Sequence, residues 1–468
     1  VIGVSDPMTL AAIVVGAGVG GALVVHALVS RRRARRHEAI AARSERLGHT
    51  EPVSLHPKID EHACICTGAC VSACPEKDVI GFVDGRPALI KPTACIGHGE
   101  CMRACPVGAI SLVIGSERRG VDLPLVGVGG RDFQTNVPGL FIAGELGGMG
   151  LIHNAVTQGV QAMKSIAASL PRDPADGDDR AGGGAVGGVL DVLDVLVVGA
   201  GPAGLAAALQ AKQSLLRFAI VDQEELGGAL RSFPRQKIVM TAPVEFPIYG
   251  KVTLRRTTKE ALLELWREIV DQTGIRVEAG VKVEGVRREG GLFTVETSAG
   301  PRRARAVLLA IGRRGTPRKL GIPGETLEKV TYRLLEPEQY RGARCLVVGG
   351  GDSAVETALT LARERGTKVT LVHRGDTFDR VKPDNFDALE AARRGGALTV
   401  RTRATPVEIT PDAVRVRIGE GPAEERIDND FVFVCAGGEL PTAWLAKIGV
   451  EVRTVRGEAF TPGAAVRS

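Results

Sequence analysis

Val195-Leu-Val-Val-Gly199-Ala-Gly201-Pro-Ala-Gly204 reads as a buried strand, a tight turn and the first residues of an Ala-rich helix. In such a G-x-G-x-x-G turn the first glycine permits the bend, and the second lets backbone approach a pyrophosphate. The third allows close packing of helix on strand, and the helix N-terminus then faces the phosphates. The next apolar run, Phe218-Ala-Ile-Val-Asp222, ends in an acid placed to bind ribose hydroxyls. From Asp191 onward strand-type runs alternate with helical ones, the pattern of an α/β fold.

The pattern occurs twice. The second copy is Cys345-Leu-Val-Val-Gly349-Gly-Gly351-Asp-Ser-Ala354-Val-Glu356, with Ala in place of the third glycine. Its following strand, Val369-Thr-Leu-Val, ends in His373-Arg374 with Arg380 close behind, and no acid stands at the ribose position. Cationic side chains there suit the 2′-phosphate of NADP(H) better than a free hydroxyl.

Seven of the nine cysteines fall between Cys64 and Cys105, in two runs that each end in Cys-Pro. The first is Cys64-Ile-Cys66-Thr-Gly-Ala-Cys70-Val-Ser-Ala-Cys74-Pro75, the second Cys95-Ile-Gly-His98-Gly-Glu-Cys101-Met-Arg-Ala-Cys105-Pro106. Closely spaced thiolates followed by Cys-x3-Cys-Pro are how a small domain holds two iron–sulfur clusters, which move single electrons. Zinc also favours four Cys/His ligands, but the paired endings argue against it. Metal-type spacing of free thiols points to a reducing compartment.

A length of 468 residues predicts about three domains, and 60 glycines with only 4% aromatic residues favour α/β units with phosphate-binding turns. The net charge of +6 is mild for this length, and the arginine clusters lack interleaved aromatics, which argues against nucleic-acid binding. Met8 to Val29 is apolar except for Thr9 and His26, and Arg31-Arg-Arg-Ala-Arg-Arg36 follows at once. This predicts one membrane-spanning helix with the basic block, and the catalytic domains after it, on the cytoplasmic side. Gly16-Ala-Gly18-Val-Gly-Gly21 formally repeats the dinucleotide fingerprint, but arginines occupy the stretch where its acid belongs. A secretory signal would carry its positive charges before the apolar run.

With both glycine motifs in view, Asp191 to Val452 resembles the thioredoxin-reductase-like flavoproteins, in which an NADPH domain is inserted into an FAD domain. Leu308-Leu-Ala-Ile-Gly312 looks like the first crossover between the domains, and Val432-Phe-Val-Cys-Ala-Gly437 like the second. The resemblance implies FAD contacts at Gly199, Gly201, Gly204 and Asp222, with Gly227, Gly228 and Gly312 nearby. It implies NADPH contacts at Gly349, Gly351, Ala354, His373, Arg374 and Arg380. The family's redox Cys-x-x-Cys is absent from Val330-Thr-Tyr-Arg-Leu-Leu, and Cys345 and Cys435 sit singly in apolar strands. The chain therefore resembles the dithiol-less branches, which include ferredoxin–NADP reductases and bacillithiol-disulfide-reductase-like proteins.

The family closes its FAD domain with a C-terminal strand and helix. Here the similar piece stands upstream, as Leu140-Phe-Ile-Ala-Gly144-Glu145 and the helical run from Asn154 to Ala168. The resemblance gives Glu145 to the ribityl chain and turns the helix dipole toward the flavin. Resemblance to dicluster ferredoxins, in turn, assigns Cys64, Cys70 and Cys105 to one cluster, with Cys66 as fourth candidate. The other takes Cys95, Cys101 and Cys74, with His98 where the family has cysteine. That cluster is of the 4Fe–4S type or a 3Fe–4S centre, and imidazole in place of thiolate raises its potential.

The expected fold is α/β: two Rossmann-like three-layer domains, a small α+β ferredoxin-like domain and an N-terminal transmembrane helix. The divisions are an anchor (1–36), a 4Fe–4S domain (58–115), a displaced FAD-closing segment (116–168), a linker (169–190), an FAD domain (191–316), an NADPH domain (317–435) and a return to the FAD domain with a tail (436–468). The expected function is electron transfer from NADPH through FAD to two clusters and on to a protein or quinone, or the reverse, with a homodimer admitted. A cluster-linked disulfide or thiol reductase, and a non-catalytic redox sensor or relay, are the alternatives.

Overall fold

The computed structural model describes residues 7–459, apart from 54, 119, 128–131, 149, 171–191, 234–237, 241–242, 255, 314–315 and 440. The expected linker thus lies almost entirely outside the described residues. The chain opens on one long helix, α1 (Pro7–Arg46). Its apolar half is solvent-exposed over residues 11–30, whereas His37 and Ser44 are buried. Residues 37–46 continue the same helix and dock it; the polar, charged composition of 37–57 suits a helical extension or linker, and the first part is helical.

The docking contacts are specific. His37 Nδ1 accepts from the Phe82 N–H at 3.0 Å, and Ser44 Oγ donates to the Ile90 carbonyl at 2.8 Å. Arg43 pairs with Asp387, and just beyond the helix His49 Nε2 donates to the Phe378 carbonyl at 3.2 Å. The helix is therefore fastened to both the cysteine-rich module and the second nucleotide-binding unit.

The cysteine-rich module comprises β1 (His56–Ile59), α2 (Ala69–Ala73), β2 (Ile80–Val83), β3 (Arg86–Leu89), α3 (Glu100–Arg103) and β4 (Ile110–Ile114). β1 pairs antiparallel with β4, and β2 with β3. The two short helices begin at Gly68 and Gly99, both left-handed, which turns the chain sharply after each first group of cysteines. The chain continues through β5 (Val121–Pro124), β6 (Leu140–Ile142) and α4 (Ile152–Ser169).

The first α/β unit contains β7 (Val192–Val198), α5 (Pro202–Gln213), β8 (Phe218–Asp222), α6 (Lys259–Thr273), β9 (Val277–Ala279), β10 (Val283–Glu289), β11 (Leu292–Thr297) and β12 (Arg302–Leu309). Thr258 caps the N–H of Ala261 to start α6, and left-handed Gly274 ends it. The sheet order is β9-β8-β7-β12-β11-β10, with β6 also on β12. β11 pairs with residues Arg302–Ala304 of β12, and β6 runs parallel to Val307–Leu309. β6 alternates its faces: Phe141 enters the core beneath α4 and α5, Leu140 and Ile142 the opposite core. Each of these three side chains is at most 1% exposed, a burial worth about 1.5–3 kcal/mol apiece.

The second unit contains β13 (Val330–Thr331), β14 (Arg344–Val348), α7 (Asp352–Ala362), β15 (Lys368–Val372), α8 (Pro383–Arg394), β16 (Thr399–Arg401) and β17 (Phe431–Val434). These strands form a five-stranded parallel sheet ordered β13-β17-β14-β15-β16. The chain then passes through α9 (Thr442–Lys447), β18 (Val452–Val455) and β19 (Glu458–Ala459). Leu445 and Ile448 enter the first unit's core, β18 pairs with β5, and β19 pairs with β4. The end of the described chain therefore adds a strand to the cysteine-rich module, a pairing the sequence reading did not foresee.

Candidate functional site

The two glycine turns are built alike. Gly199 has φ +107° and Gly349 φ +152°, and a side chain on either would run into the carbonyl ending a neighbouring strand, Ala310 or Cys435. Gly204 lies against the Gly199 carbonyl, so only glycine fits there. Ala354, the residue at the equivalent position of the second turn, is fully buried. The middle glycines differ from their neighbours. A Cβ on Gly201 or on Gly351 would meet nothing within 4 Å. Each therefore leaves open space at a helix N-terminus, the cradle a pyrophosphate needs.

Around the first turn, Asp222 Oδ2 accepts from the Ala200 N–H at 2.6 Å and Oδ1 from the Glu224 N–H at 2.8 Å. The carboxylate thus holds the turn and keeps a lone pair on each oxygen for a ribose. Gly227 donates to the Ala200 carbonyl, and Gly228 packs near the Cα of Gly201. Gly312 (φ +66°) follows β12 with open space about it.

The upstream segment completes this neighbourhood. Ala143 N–H donates to the Leu309 carbonyl, and Gly144 N–H donates to Gln158 Oε1 at 2.8 Å. Gly144 (φ +82°) lies beside Ala203 at the start of α5, and Gly159 of α4 rests on the Ala203 backbone. Glu145 follows in the next turn, close enough to Arg313 to favour its charge. Burial outweighs this and lowers the Arg313 pKa overall, even with Asp122 adding to the favourable side.

At the second turn, the His373 ring fills the space over Gly350 and stacks on Phe378, centroids 4.9 Å apart. Its Nε2 donates to the Thr377 carbonyl at 3.0 Å, and burial lowers its pKa. A neutral histidine packed under the loop serves as support more than as a cation. Arg374 and Arg380 lie near enough to depress it further, and neither forms an ion pair among the described residues. Two such guanidinium groups beside an open glycine turn suit a phosphate.

The cysteines gather in two groups. Cys64 and Cys105 lie close enough to Cys70 to raise its thiol pKa beyond the effect of burial. Partial desolvation and a hydrogen bond with Cys64 likewise push up Cys66, which is exposed and left-handed at φ +55°. In the second group, burial and then Cys101 and Cys74 push the Cys95 thiol up to about 12, while Cys101 is pushed up to about 11. Cys74, Cys95 and Cys101 line one cavity together with Glu76 and His98. Among the described residues no three of these side chains converge tightly enough to hold a single ion. Cys95 and Cys101 fit iron–sulfur chemistry in another respect: buried, with thiol pKa values pushed far above neutrality, they need cationic iron to ionise.

His98 Nε2 donates to Glu76 Oε1 at 3.4 Å, and that bond, more than any other influence, holds the Glu76 carboxyl below its ordinary range. On its other side the His98 ring lies nearly parallel to that of His153, centroids 6.3 Å apart and planes 17° apart. His153 belongs to the first turn of α4, and its buried Nδ1 has no hydrogen-bond partner. An orphaned ring nitrogen at this helix N-terminus suits the polar edge of an absent flavin. Sequence reading did not single out His153 or Glu76, since neither sits in a recognisable spacing; only the packing of α4 against the module brings them into view.

Comparison with known proteins agrees with this architecture. The profile of the pyridine nucleotide-disulphide oxidoreductases matches residues 196–463, and that of the 4Fe-4S dicluster domain matches residues 56–106. Bacilliredoxin reductase Bdr of Bacillus subtilis (strain 168) is 30% identical over 56% of this chain and 82% of its own. A ferredoxin–NADP reductase of Ignicoccus hospitalis is 32% identical over 54% of this chain and 80% of its own. The structure of bacillithiol disulfide reductase Bdr (YpdA) from Bacillus cereus superposes with a TM-score of 0.51 at 28% identity, covering 56% of this chain and 82% of that one. The chain belongs to the pyridine nucleotide-disulphide oxidoreductase family and carries a 4Fe-4S dicluster domain ahead of its nucleotide-binding units.

Proposed function

We propose that this oxidoreductase is a membrane-anchored flavoprotein that exchanges electrons between NADPH, FAD and two iron–sulfur clusters, and from them with a protein or quinone partner. FAD binds at the Gly199–Gly204 turn, with Gly227, Gly228, Gly312 and Asp222 about it. The segment Leu140–Ser169 closes the same domain in place of a C-terminal piece. NADPH binds at the Gly349–Gly351 turn, with Arg374 and Arg380 at its 2′-phosphate. When bound, the flavin supplies the change from two-electron to one-electron chemistry: each hydride brings two electrons, one for each of two clusters, and NADP+ and a proton leave.

The observation that carries this reading is the course of residues 110–169. One short stretch of chain leaves the cysteine module at β4 and enters the first unit's sheet as β6, beside β12. The cysteine module is thereby tied directly to the sheet that carries the first glycine turn, as an internal electron path requires. The side chains of Arg333 and Glu224, 3.1 Å apart, link the two nucleotide units.

The thiol-reductase alternative draws no support from the two remaining cysteines. Burial pushes Cys345 up to about 12 and Cys435 up to about 11, so neither offers a thiolate nucleophile at neutral pH. The anchor reading rests on α1, whose apolar window has a mean hydropathy of 2.2. Arg31–Arg36 follow it, and the pairing of Arg36 with Asp78 of the cysteine module supports a module on the same side as this basic block, the side that such blocks favour being the cytoplasm. Anaerobic NADPH titration of the reconstituted full chain tests the proposal. Bleaching of the flavin together with the appearance of cluster EPR signals is expected; bleaching without any cluster signal would sink it.

A further inference from the structure

Resting on the proposed electron path, we infer that the two clusters have fixed places in it. The group of Cys74, Cys95, Cys101 and His98 holds the flavin-side cluster, and the group of Cys64, Cys66, Cys70 and Cys105 holds the outward one. The His98–His153 stack joins the first to the flavin helix.

Three observations converge on this order. The first is position. His98 is the one member of either group whose ring stacks on α4, and α4 is the helix that packs on α5 beside the first glycine turn. His153 stacks on His98 and carries a buried Nδ1 with no protein partner. The second is burial. Cys95 and Cys101 are each 7% exposed, as is Cys70 of the other group, but that group alone reaches the surface: Cys66 is exposed and its neighbour Ile65 is 62% exposed. An electron entering from inside the protein meets the buried group first, and one leaving for a partner departs from the exposed group. The third is continuity. Cys70 lies near Cys101 and Cys74 as well as near Cys64 and Cys105, so the two groups adjoin through it. Tunnelling falls steeply with distance, so adjacency sets the sequence of transfers.

The ligand chemistry agrees with the order. An imidazole in place of one thiolate leaves the inner cluster with less negative charge, which raises its potential and lets it take the first electron from the flavin readily. Glu76 holds Nε2 of His98, so ligation falls to Nδ1. A carboxylate on the distal nitrogen is the usual means of fixing a ligating imidazole.

The order is tested by removing one cluster at a time from the full chain and reading the other by EPR under anaerobic NADPH and, separately, dithionite. Cys64→Ala should leave a cluster that NADPH still reduces. Cys101→Ala should leave a cluster that dithionite reduces, but that NADPH reduces at least 100-fold more slowly than in the unmodified chain. The opposite pattern, or equal reduction in both variants, overturns the order. Flavin bleaching with no cluster signal in the unmodified chain instead refutes the underlying electron path. Should either cysteine variant fail to fold, freeze-quenching of the unmodified chain decides. The signal whose g-values His98→Cys alters should grow before the signal that Cys66→Ala alters, and the reverse order of growth overturns the inference.

Discussion

Gly159 of α4 rests directly on the backbone of Ala203 in the first turn of α5, with no room for a Cβ between them. The helix that follows β6 is thereby locked to the helix that begins at the first glycine turn, although the linker and β7 intervene in the chain. Gly159→Val should push the two helices apart, at about 1–3 kcal/mol for overpacking. We expect a lower melting temperature and loss of bound flavin, with iron content retained, measured by flavin absorbance and iron assay. Flavin retained at full occupancy would show that α4 does not shape that pocket.

The open middle glycines invite a cleaner separation of fold from ligand. Gly201 and Gly351 have ordinary negative φ values, −76° and −110°, and empty space where a side chain would go. Gly201→Val should leave stability within about 0.5 kcal/mol, the usual range for a harmless surface change, and abolish FAD binding. Gly351→Val should spare the flavin and block its reduction by NADPH. Calorimetry and stopped-flow absorbance read both.

Removing the guanidinium groups beside the second turn should weaken NADPH much more than NADH. A charge-assisted hydrogen bond is worth about 1.5–3 kcal/mol, so Arg374→Ala and Arg380→Ala should each cost about tenfold or more in the KM for NADPH. The KM for NADH should barely move. Equal losses for both nucleotides would place these arginines away from the 2′-phosphate.

Acid should loosen the grip of the N-terminal helix on the second unit. Burial lowers the pKa of His49, with Arg43 also acting against the charged form, while the Phe378 carbonyl, Asp379 and Asp387 only partly compensate. A histidine with a folded-state pKa below its ordinary 6.5 binds more protons when released, so its contribution is complete above pH 6.5 and falls as the pH drops through that value. Limited proteolysis between residues 46 and 55 should accelerate below pH 6.5. His49→Phe, which cannot take up a proton, should flatten that dependence.

The two lone cysteines should prove dispensable for electron transfer. Cys345→Ala combined with Cys435→Ala should leave NADPH-driven flavin and cluster reduction unchanged, and native protein should resist alkylation at both positions. Loss of reduction in the double variant, with flavin content intact, would revive thiol chemistry.

The two nucleotide turns were legible in sequence because a glycine turn is a local device. Gly199 and Gly349 are needed for their own positive φ and for contact with strands that the apolar pattern also marks. Cysteine spacing was legible for a similar reason, since Cys70 and Cys101 each lie on a short helix started by a left-handed glycine only a few residues away. The long helix was visible as an apolar run with a polar helical extension or linker after it, but its docking through His37 and Ser44 was not, because that depends on partners far along the chain.

From residue order alone came two dinucleotide turns, a thiol set of iron–sulfur type and one apolar helix, each specified within a stretch of a few dozen residues. Tertiary structure alone decided that β6 lies on β12, that the last described strand joins β4, and that His98 stacks on His153. Those contacts join segments far apart in the chain. They are selected by which sheet edges and apolar faces remain to be covered once the local elements exist, and no local spacing records that choice.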